Sequence, residues 1–360
     1  FLGLRVFGSV SLEYISSGVF TFVLFIGSTR TSTIPSISIA GASPEATLYT
    51  PALDAEYLVL GRPLTFNIIP VTPDGIPTPA LLSRAALSLT GLPVLIVDTG
   101  SFIKPKVPYV SLPSSTVGEV ISSGRALPEG TSARLYSEAR LLGSMLGGHL
   151  DFIIGESIPG GTTTAMAIME ALGFNARGRV SSSSPYNPHS IKGRVVDEGL
   201  RSAGITKPED DVFKVNDSVG DPLHISIAGF ISGALERGSK IILAGGTQMC
   251  SVLAILRKLK VDTRGNLIVA TTRWILEDKT ADMQGLLSEI SKKTPLVAAN
   301  IDFKDSPYTG LRKYEEGYVK EGVGAGGLIV FSLIKGHSMD TVKNTIYREY
   351  ERLASYGVNI

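Results

Sequence analysis

Four stretches of the chain combine residue types that could hold a phosphorylated ligand and move a proton. From Gly155 to Ala165 the sequence reads Gly-Glu-Ser-Ile-Pro-Gly-Gly-Thr-Thr-Thr-Ala, between the apolar run Leu150 to Ile154 and the helix-like run Ala165 to Leu172. A strand, a glycine-rich turn and a helix start leave backbone N–H groups unpaired at the positive end of the helix. There Gly160, Gly161, Thr162 and Thr163 could cradle phosphate oxygens, or could only turn the chain and cap the helix. A second such turn, Gly245-Gly246-Thr247-Gln248, follows the run Lys240 to Ala244. Two of them fit a nucleotide-sized ligand at the carboxyl edge of a parallel sheet. The hydroxyls of Ser181 to Ser184, Ser182 and Ser183 among them, precede a helix with Lys192 near its start. They read either as further phosphate ligands or as a solvated loop with a surface lysine. Last, Lys320-Glu321-Gly322-Val323-Gly324-Ala325-Gly326-Gly327 leads into the apolar run Leu328 to Ile334. Glycines admit close approach there, so Glu321 could act as a general base or simply complement the helix dipole.

Two familiar turn chemistries fail on single residues. In a Walker A loop, G-x-x-x-x-G-K-[ST], Gly155, Gly160 and Thr162 fit but Gly161 stands at the lysine position, which argues against ATP hydrolysis. In a nucleophile elbow, G-x-S-x-G, Gly155 and Ser157 fit but Pro159 replaces the second glycine. An α/β hydrolase using Ser157, Asp302 and His337 is therefore disfavoured despite the right chain order. Asp98-Thr99-Gly100 resembles the acidic loop that binds phosphoribosyl pyrophosphate in the common phosphoribosyltransferases, with one acid where those carry two. Cys250 is the only cysteine, which excludes an intrachain disulfide and a multi-cysteine zinc site and fits a reducing cytosol. His149, His189, His224 and His337 show no i, i+4 metal spacing and read as structural or surface residues. Neither a metal nor a cofactor is expected.

The 360 residues carry 34 Lys and Arg against 33 Asp and Glu, a net charge of +1 that advertises neither nucleic acid nor an anionic membrane. Small molecules are the expected partners. Charged residues make up 19%, and 39 Gly with 20 Pro suit a compact, turn-rich enzyme better than a disordered or coiled chain. The early apolar run Val19 to Ile26 is far shorter than the roughly 20 residues of a membrane span. Residues 1–18 hold Glu13 and one early basic residue, do not read as a secretory signal, and stand as an N-terminal extension. A cytoplasmic location is expected.

Six strands should position these stretches: Val19 to Ile26, Val94 to Val97, Leu150 to Ile154, Lys240 to Ala244, Leu267 to Thr271 and Leu296 to Ala299. Helices read between them, one opened by Thr78-Pro79 and closed by Gly91, another capped by Thr131 and reaching Leu146. Pro70 to Pro77 is a turn signature, and the Pro-, Ser- and Val-rich segment from Lys104 to Gly130 reads as a long loop over a site. The alternation argues for an α/β fold with a doubly wound, mostly parallel, Rossmann-like sheet of about six strands and helices on both faces. Residues 19–334 form that domain, and a C-terminal amphipathic helix within 335–360 packs on it as a small terminal helical subdomain.

The order of the pieces is more telling than any one of them. The Gly155 to Thr164 turn, the Lys192 helix, the run Val219 to Ala234, the Leu243 to Thr247 turn and Lys320 to Ala325 together resemble nicotinate-nucleotide:dimethylbenzimidazole phosphoribosyltransferase, the cobalamin-pathway enzyme. The sequence looks closest to its archaeal and cyanobacterial relatives. The likeness runs from about Val19 to Ile334, strongest from Gly155 onward. The family turn Gly-Glu-Met-Gly-Ile-Gly-Asn-Thr-Thr matches Glu156, Thr162 and Thr163. The place of its catalytic glutamate, in a Gly-Glu-Gly-Thr-Gly-Ala type motif, falls on Glu321. By resemblance, Glu321 takes the N–H proton of a benzimidazole-like base, which attacks the ribose of nicotinate mononucleotide. Glu156 orients base or ribose, and phosphate sits on Gly160, Gly161 and Thr162 with Lys192 and the serines helping. The ribose lies near Gly245 and Gly246. A homodimer is implied as well. The sequence departs from the family at Gly27-Ser28-Thr29-Arg30, where an Asp-His-Gly is usual, and at Ala244 to Gln248, where the enzymes read Asp-Gly-Phe. The accepting base is thus left open. A non-catalytic nucleotide-binding protein of the same fold is the alternative.

Overall fold

The computed structural model describes residues 3–66, 76–263 and 265–356. Eight strands form one sheet: β1 (Leu4–Phe7), β2 (Phe20–Gly27), β3 (Val94–Gly100), β4 (Val110–Ser111), β5 (Asp151–Ser157), β6 (Ile241–Ala244), β7 (Leu267–Thr272) and β8 (Leu296–Ala299). Their order is β1-β8-β7-β6-β5-β2-β3-β4, parallel throughout except for the antiparallel edge strand β1. The doubly wound α/β reading holds, with eight strands in place of six. The two extra strands lie at the edges. β1 contains Arg5 and is half-exposed, and β4 has only two residues, so neither offers the apolar run that marks a buried strand. Residues 4–7, read from sequence as part of an extension, thus pair with β8.

Side chains alternate across the strands and feed two cores. Val23, Phe25, Phe152, Ile154, Leu243 and Val269 face one side, and Phe22, Leu24, Ile26, Ile153, Ile242 and Ile268 the other. In chain order the helices are α1 (Leu12–Ser16), α2 (Thr50–Leu60), α3 (Ala80–Thr90), α4 (Thr131–Leu146), α5 (Gly161–Ala171), α6 (His189–Ser202) and α7 (Val212–Val219). There follow α8 (Pro222–Glu236), α9 (Met249–Lys258), α10 (Arg273–Leu276), α11 (Met283–Ile290), α12 (Thr309–Arg312), α13 (Ala325–Ile334) and α14 (Met339–Ala354). Helices α4 to α9 and α11 cover the first face. The second is covered by α2, α3, α13 and the C-terminal α14, whose Val342, Ile346, Tyr350 and Leu353 join the same cluster. Among the described residues no helix is long and apolar enough to cross a membrane. The turn expected at Pro70 to Pro77 lies, but for its last two residues, outside the described residues.

Two local expectations change. Thr131 does not cap α4; Gly130 holds the cap position at φ 78°, and the carboxylate of Asp217 in α7 accepts the N–H groups of Gly130 (2.6 Å) and Ser132 (2.8 Å). The cap comes from a residue 87 positions away in sequence, so local spacing could not show it. Asp217→Ala should cost roughly 0.5–2 kcal/mol, read as a lower urea midpoint at unchanged slope. Second, the 104–130 segment lines no part of the principal cavity. The segment from Ile37 to Asp54 and Phe66 do so instead.

The chain winds outward from β2 through β3 to β4, returns to β5 on the other side of β2, and continues to β8. The reversal puts a crevice at the carboxyl ends of the strands beside β5, the place where open α/β sheets take ligands.

Candidate active site

At that edge a cavity of about 490 Å³ is walled by the turns after β5 and β6 and by the 321–323 segment. Glu321 stands on constrained backbone. Val319, Lys320 and Val323 all take positive φ (63°, 69° and 53°), as do Gly322 (148°) and Gly324 (71°). Left-handed β-branched residues cost about 1–3 kcal/mol each and persist only where the surroundings force them. Here the Lys320 carbonyl accepts from Thr272 Oγ1 (2.7 Å), and Val323 N–H donates to the Glu156 carbonyl (2.9 Å). The Lys320 ammonium donates to Asp278 (2.7 Å) and to the Ser184 carbonyl (3.0 Å).

The result is a carboxylate held on both oxygens. Glu321 Oε1 accepts from the N–H groups of Gly322 (3.1 Å) and Gly326 (3.0 Å), and Oε2 from Thr272 N–H (3.0 Å) and Thr271 Oγ1 (3.4 Å). Those bonds favour the ionised form, but burial outweighs them and pushes the carboxyl up to about 7. At neutral pH Glu321 is therefore divided between acid and carboxylate, the state a proton acceptor needs. Glu156, at the end of β5, is also raised to about 7 by burial, with Glu321 and Asp54 adding to the rise and His224 opposing it. Its Oε2 accepts from Ile158 N–H at 3.1 Å.

A third carboxyl, Asp54 of α2, lines the same cavity and escaped sequence reading. It accepts from Ser157 Oγ (2.8 Å) and Thr78 Oγ1 (3.0 Å), and burial pushes it up to about 6. Ser157 is thereby committed to Asp54, and among the described residues no histidine bonds to it. Asp302 faces Lys343 at 3.4 Å. The hydrolase arrangement does not form.

The opposite wall is the start of α5. Gly160 takes φ 78°, and a Cβ there would lie 3.0 Å from the Ser32 backbone. Gly160, Gly161 and Thr162 line the cavity together with Ser182, Ser183 and Gly246. Three expected site residues stand behind this wall. Lys192 is fully buried and donates to Thr162 Oγ1 (2.8 Å) and the Ser181 carbonyl (2.8 Å), with burial and then the Lys320 ammonium pushing it down to about 7. It positions the turn that opens α5 and does not line the cavity. Thr163 is buried with an unpartnered hydroxyl, and Gly245 backs onto the Met249 side chain. Asp98 turns its carboxylate to the N–H groups of Gly100 and Ser101 and to Lys104, away from the cavity. Among the described residues no group of three or more His, Cys, Asp and Glu is placed to hold a metal ion.

No protein-family model matches the chain. A UPF0284 protein of Aeropyrum pernix is 49% identical over 352 residues, covering 96% of this chain and 97% of that one. A UPF0284 protein of Pyrobaculum calidifontis is 47% identical over 335 residues, covering 93% and 96%, and one of Sulfolobus acidocaldarius is 41% identical over 347 residues, covering 96% and 97%. Among solved structures, nicotinate-nucleotide–dimethylbenzimidazole phosphoribosyltransferase of Thermus thermophilus aligns with a TM-score of 0.61 at 14% identity, over 93% of this chain and 86% of that one. A structure of CobT from the same organism gives a TM-score of 0.60, also at 14% identity, over 91% and 83%. The TM-scores show a shared fold, and 14% identity leaves the chemistry to the site. With nearly half its residues shared over almost the whole length of these relatives, the chain belongs to the UPF0284 family.

Proposed function

We propose that this protein transfers the phosphoribosyl group of nicotinate mononucleotide to a benzimidazole-like base, giving an α-ribazole phosphate for the lower ligand of a cobamide. The observation that carries the reading is the part-buried Glu321 carboxylate, held on both oxygens, raised to about 7 and facing a cavity that also contains a helix N-terminus. The fold shared with the phosphoribosyltransferase structures supports it.

The phosphate lies against the N–H groups that open α5, with Thr162 and the serines at its flank. The ring nitrogen of the acceptor without hydrogen attacks ribose C1′. The C1′–N bond to the pyridinium breaks, its electron pair returns to the pyridine nitrogen, and nicotinate leaves. The acceptor's N–H proton passes to Glu321. The leaving ring nitrogen goes from cationic to neutral, so no acid is needed to expel it. Glu156 and Asp54 place carboxyl groups around the same space, a surrounding that suits a cationic ring.

Purified protein incubated with nicotinate mononucleotide and dimethylbenzimidazole, hydroxybenzimidazole or adenine should release nicotinate and form a new ribotide, resolved by chromatography. Release that depends on no base, or no release with any base, would sink the transferase reading. Because the acceptor's proton must meet an ionised Glu321, kcat/KM should fall about tenfold per pH unit below about 7 and level off above it. A profile flat from pH 5 to 8 would remove Glu321 from the proton transfer.

A further inference from the structure

His224, in the first turn of α8, is fully buried, and its Nδ1 lies 2.6 Å from Asp221 Oδ2. Asp221 is saturated elsewhere: Oδ1 accepts from the N–H groups of Leu223 (2.8 Å) and His224 (2.9 Å), and Oδ2 also from Thr164 Oγ1 (2.6 Å). The carboxylate therefore fixes a proton on Nδ1 and aims Nε2 the other way. Neither His224 Nε2 nor the buried Gln248 Oε1 has a hydrogen-bond partner. The Gln248 side chain approaches the ring closely enough to raise the pKa of the imidazole, short of a full hydrogen bond. Burial opposes charge on the imidazole, but Asp221, Glu156 and Gln248 outweigh it and raise its pKa, which favours a second proton, on Nε2.

A donor on that side orders the carboxamide. The oxygen is the buried atom of the carboxamide, which leaves the NH₂ group for the cavity that Gln248 lines. The oxygen is also tucked against the phosphate turn, since a Cβ on Gly161 would sit 2.4 Å from it. Gln248 is 8% exposed, so its free donors have little but the cavity to meet. A ligand oxygen in the cavity gives those donors a partner.

We infer that Gln248 is a specificity residue presenting side-chain N–H donors to an anionic oxygen of the bound ligand, with the buried Asp221–His224 pair as the positioning device behind it. The inference rests on the cavity being a nucleotide site, and it does not need turnover. In the proposed donor the oxygen belongs to the phosphate or to the ring carboxylate.

Calorimetric titration of wild type and variants with nicotinate mononucleotide, nicotinate riboside and nicotinamide mononucleotide tests it, with melting curves to verify each fold. Gln248→Leu should weaken nicotinate mononucleotide roughly 10- to 100-fold, the range for a hydrogen bond to a charged group. A loss kept with nicotinamide mononucleotide and absent with the riboside assigns the oxygen to phosphate. The converse assigns it to the carboxylate, and either supports the donor role. His224→Leu should reproduce the loss, and His224→Gln, whose amide N–H can stand where Nε2–H stands, should restore most of it. Unchanged affinity of Gln248→Leu for all three compounds overturns the donor assignment. Equal weakening by His224→Leu and His224→Gln, with both folded, overturns the positioning role. Wild-type protein that binds these nucleotides but releases no nicotinate defeats the transferase reading alone, whereas protein that binds none of them defeats both.

Discussion

Glu321→Gln should lower base-dependent nicotinate release about 10²- to 10⁴-fold, the usual contribution of a positioned general base, while nucleotide affinity stays within a small factor. The substitution keeps shape and removes the site for the proton. It also has a structural cost. Both carboxylate oxygens accept backbone N–H bonds, and an NH₂ group in place of either leaves an N–H facing another donor. An unsatisfied buried donor costs about 1–3 kcal/mol, so a lower melting temperature is expected alongside the kinetic loss. Glu321→Asp separates the two effects: it retains a carboxylate and should recover part of the rate if the base role is right. Turnover unchanged in Glu321→Gln would mean that the carboxylate only holds the loop together, and the nucleotide-binding alternative would then account better for the cavity.

Gly326→Ala should be strongly damaging at the site. The added Cβ would stand 2.3 Å from the Thr271 carbonyl carbon and 2.4 Å from Glu321 Oε2, so the end of β7, the start of α13 and the glutamate cannot all keep their places. Overpacking against backbone costs typically 1–3 kcal/mol. Here it also moves one of the N–H groups that grip Glu321, so rate and stability should fall together. Gly193→Ala in α6 is the control. Its Cβ would meet only the far end of the Arg177 side chain, at 3.2 Å, and a helix gains from alanine. Equal melting temperatures for Gly326→Ala and wild type would show that the β7–α13 contact is looser than described.

The parts of this fold readable from sequence are those in which one short stretch contains its own reason. The apolar runs of β2, β5, β6, β7 and β8 are buried on both faces, and such strands need no alternation to be recognised. Gly160 and Thr162 announce a strand-to-helix turn because the φ of the one and the helix start of the other are local facts. Asp54 had no such signal. In α2 it looks like any acid on a helix, and it becomes a cavity residue only because Thr78 and Ser157 reach it from 24 and 103 positions away. His224 fell in the same class, its chemistry depending on Gln248 in another element. Lys192 was legible as a residue but not as a depth: a lysine at a helix start reads as exposed, and here Thr162 and the Ser181 carbonyl take its ammonium below the surface. The 104–130 segment misled for the opposite reason, since proline and serine content marks a loop without saying which wall it joins.

The sheet order has a metrical consequence. The turn that opens α5 follows β5, Gly246 follows β6, and Glu321 is anchored at the end of β7, three strands that are consecutive neighbours. Strands lie about 4.8 Å apart, so the two ends of the site are roughly two strand widths, about 10 Å, from each other. The protein carries a ruler made of backbone hydrogen bonds. That spacing suits the mononucleotide of the proposed reaction.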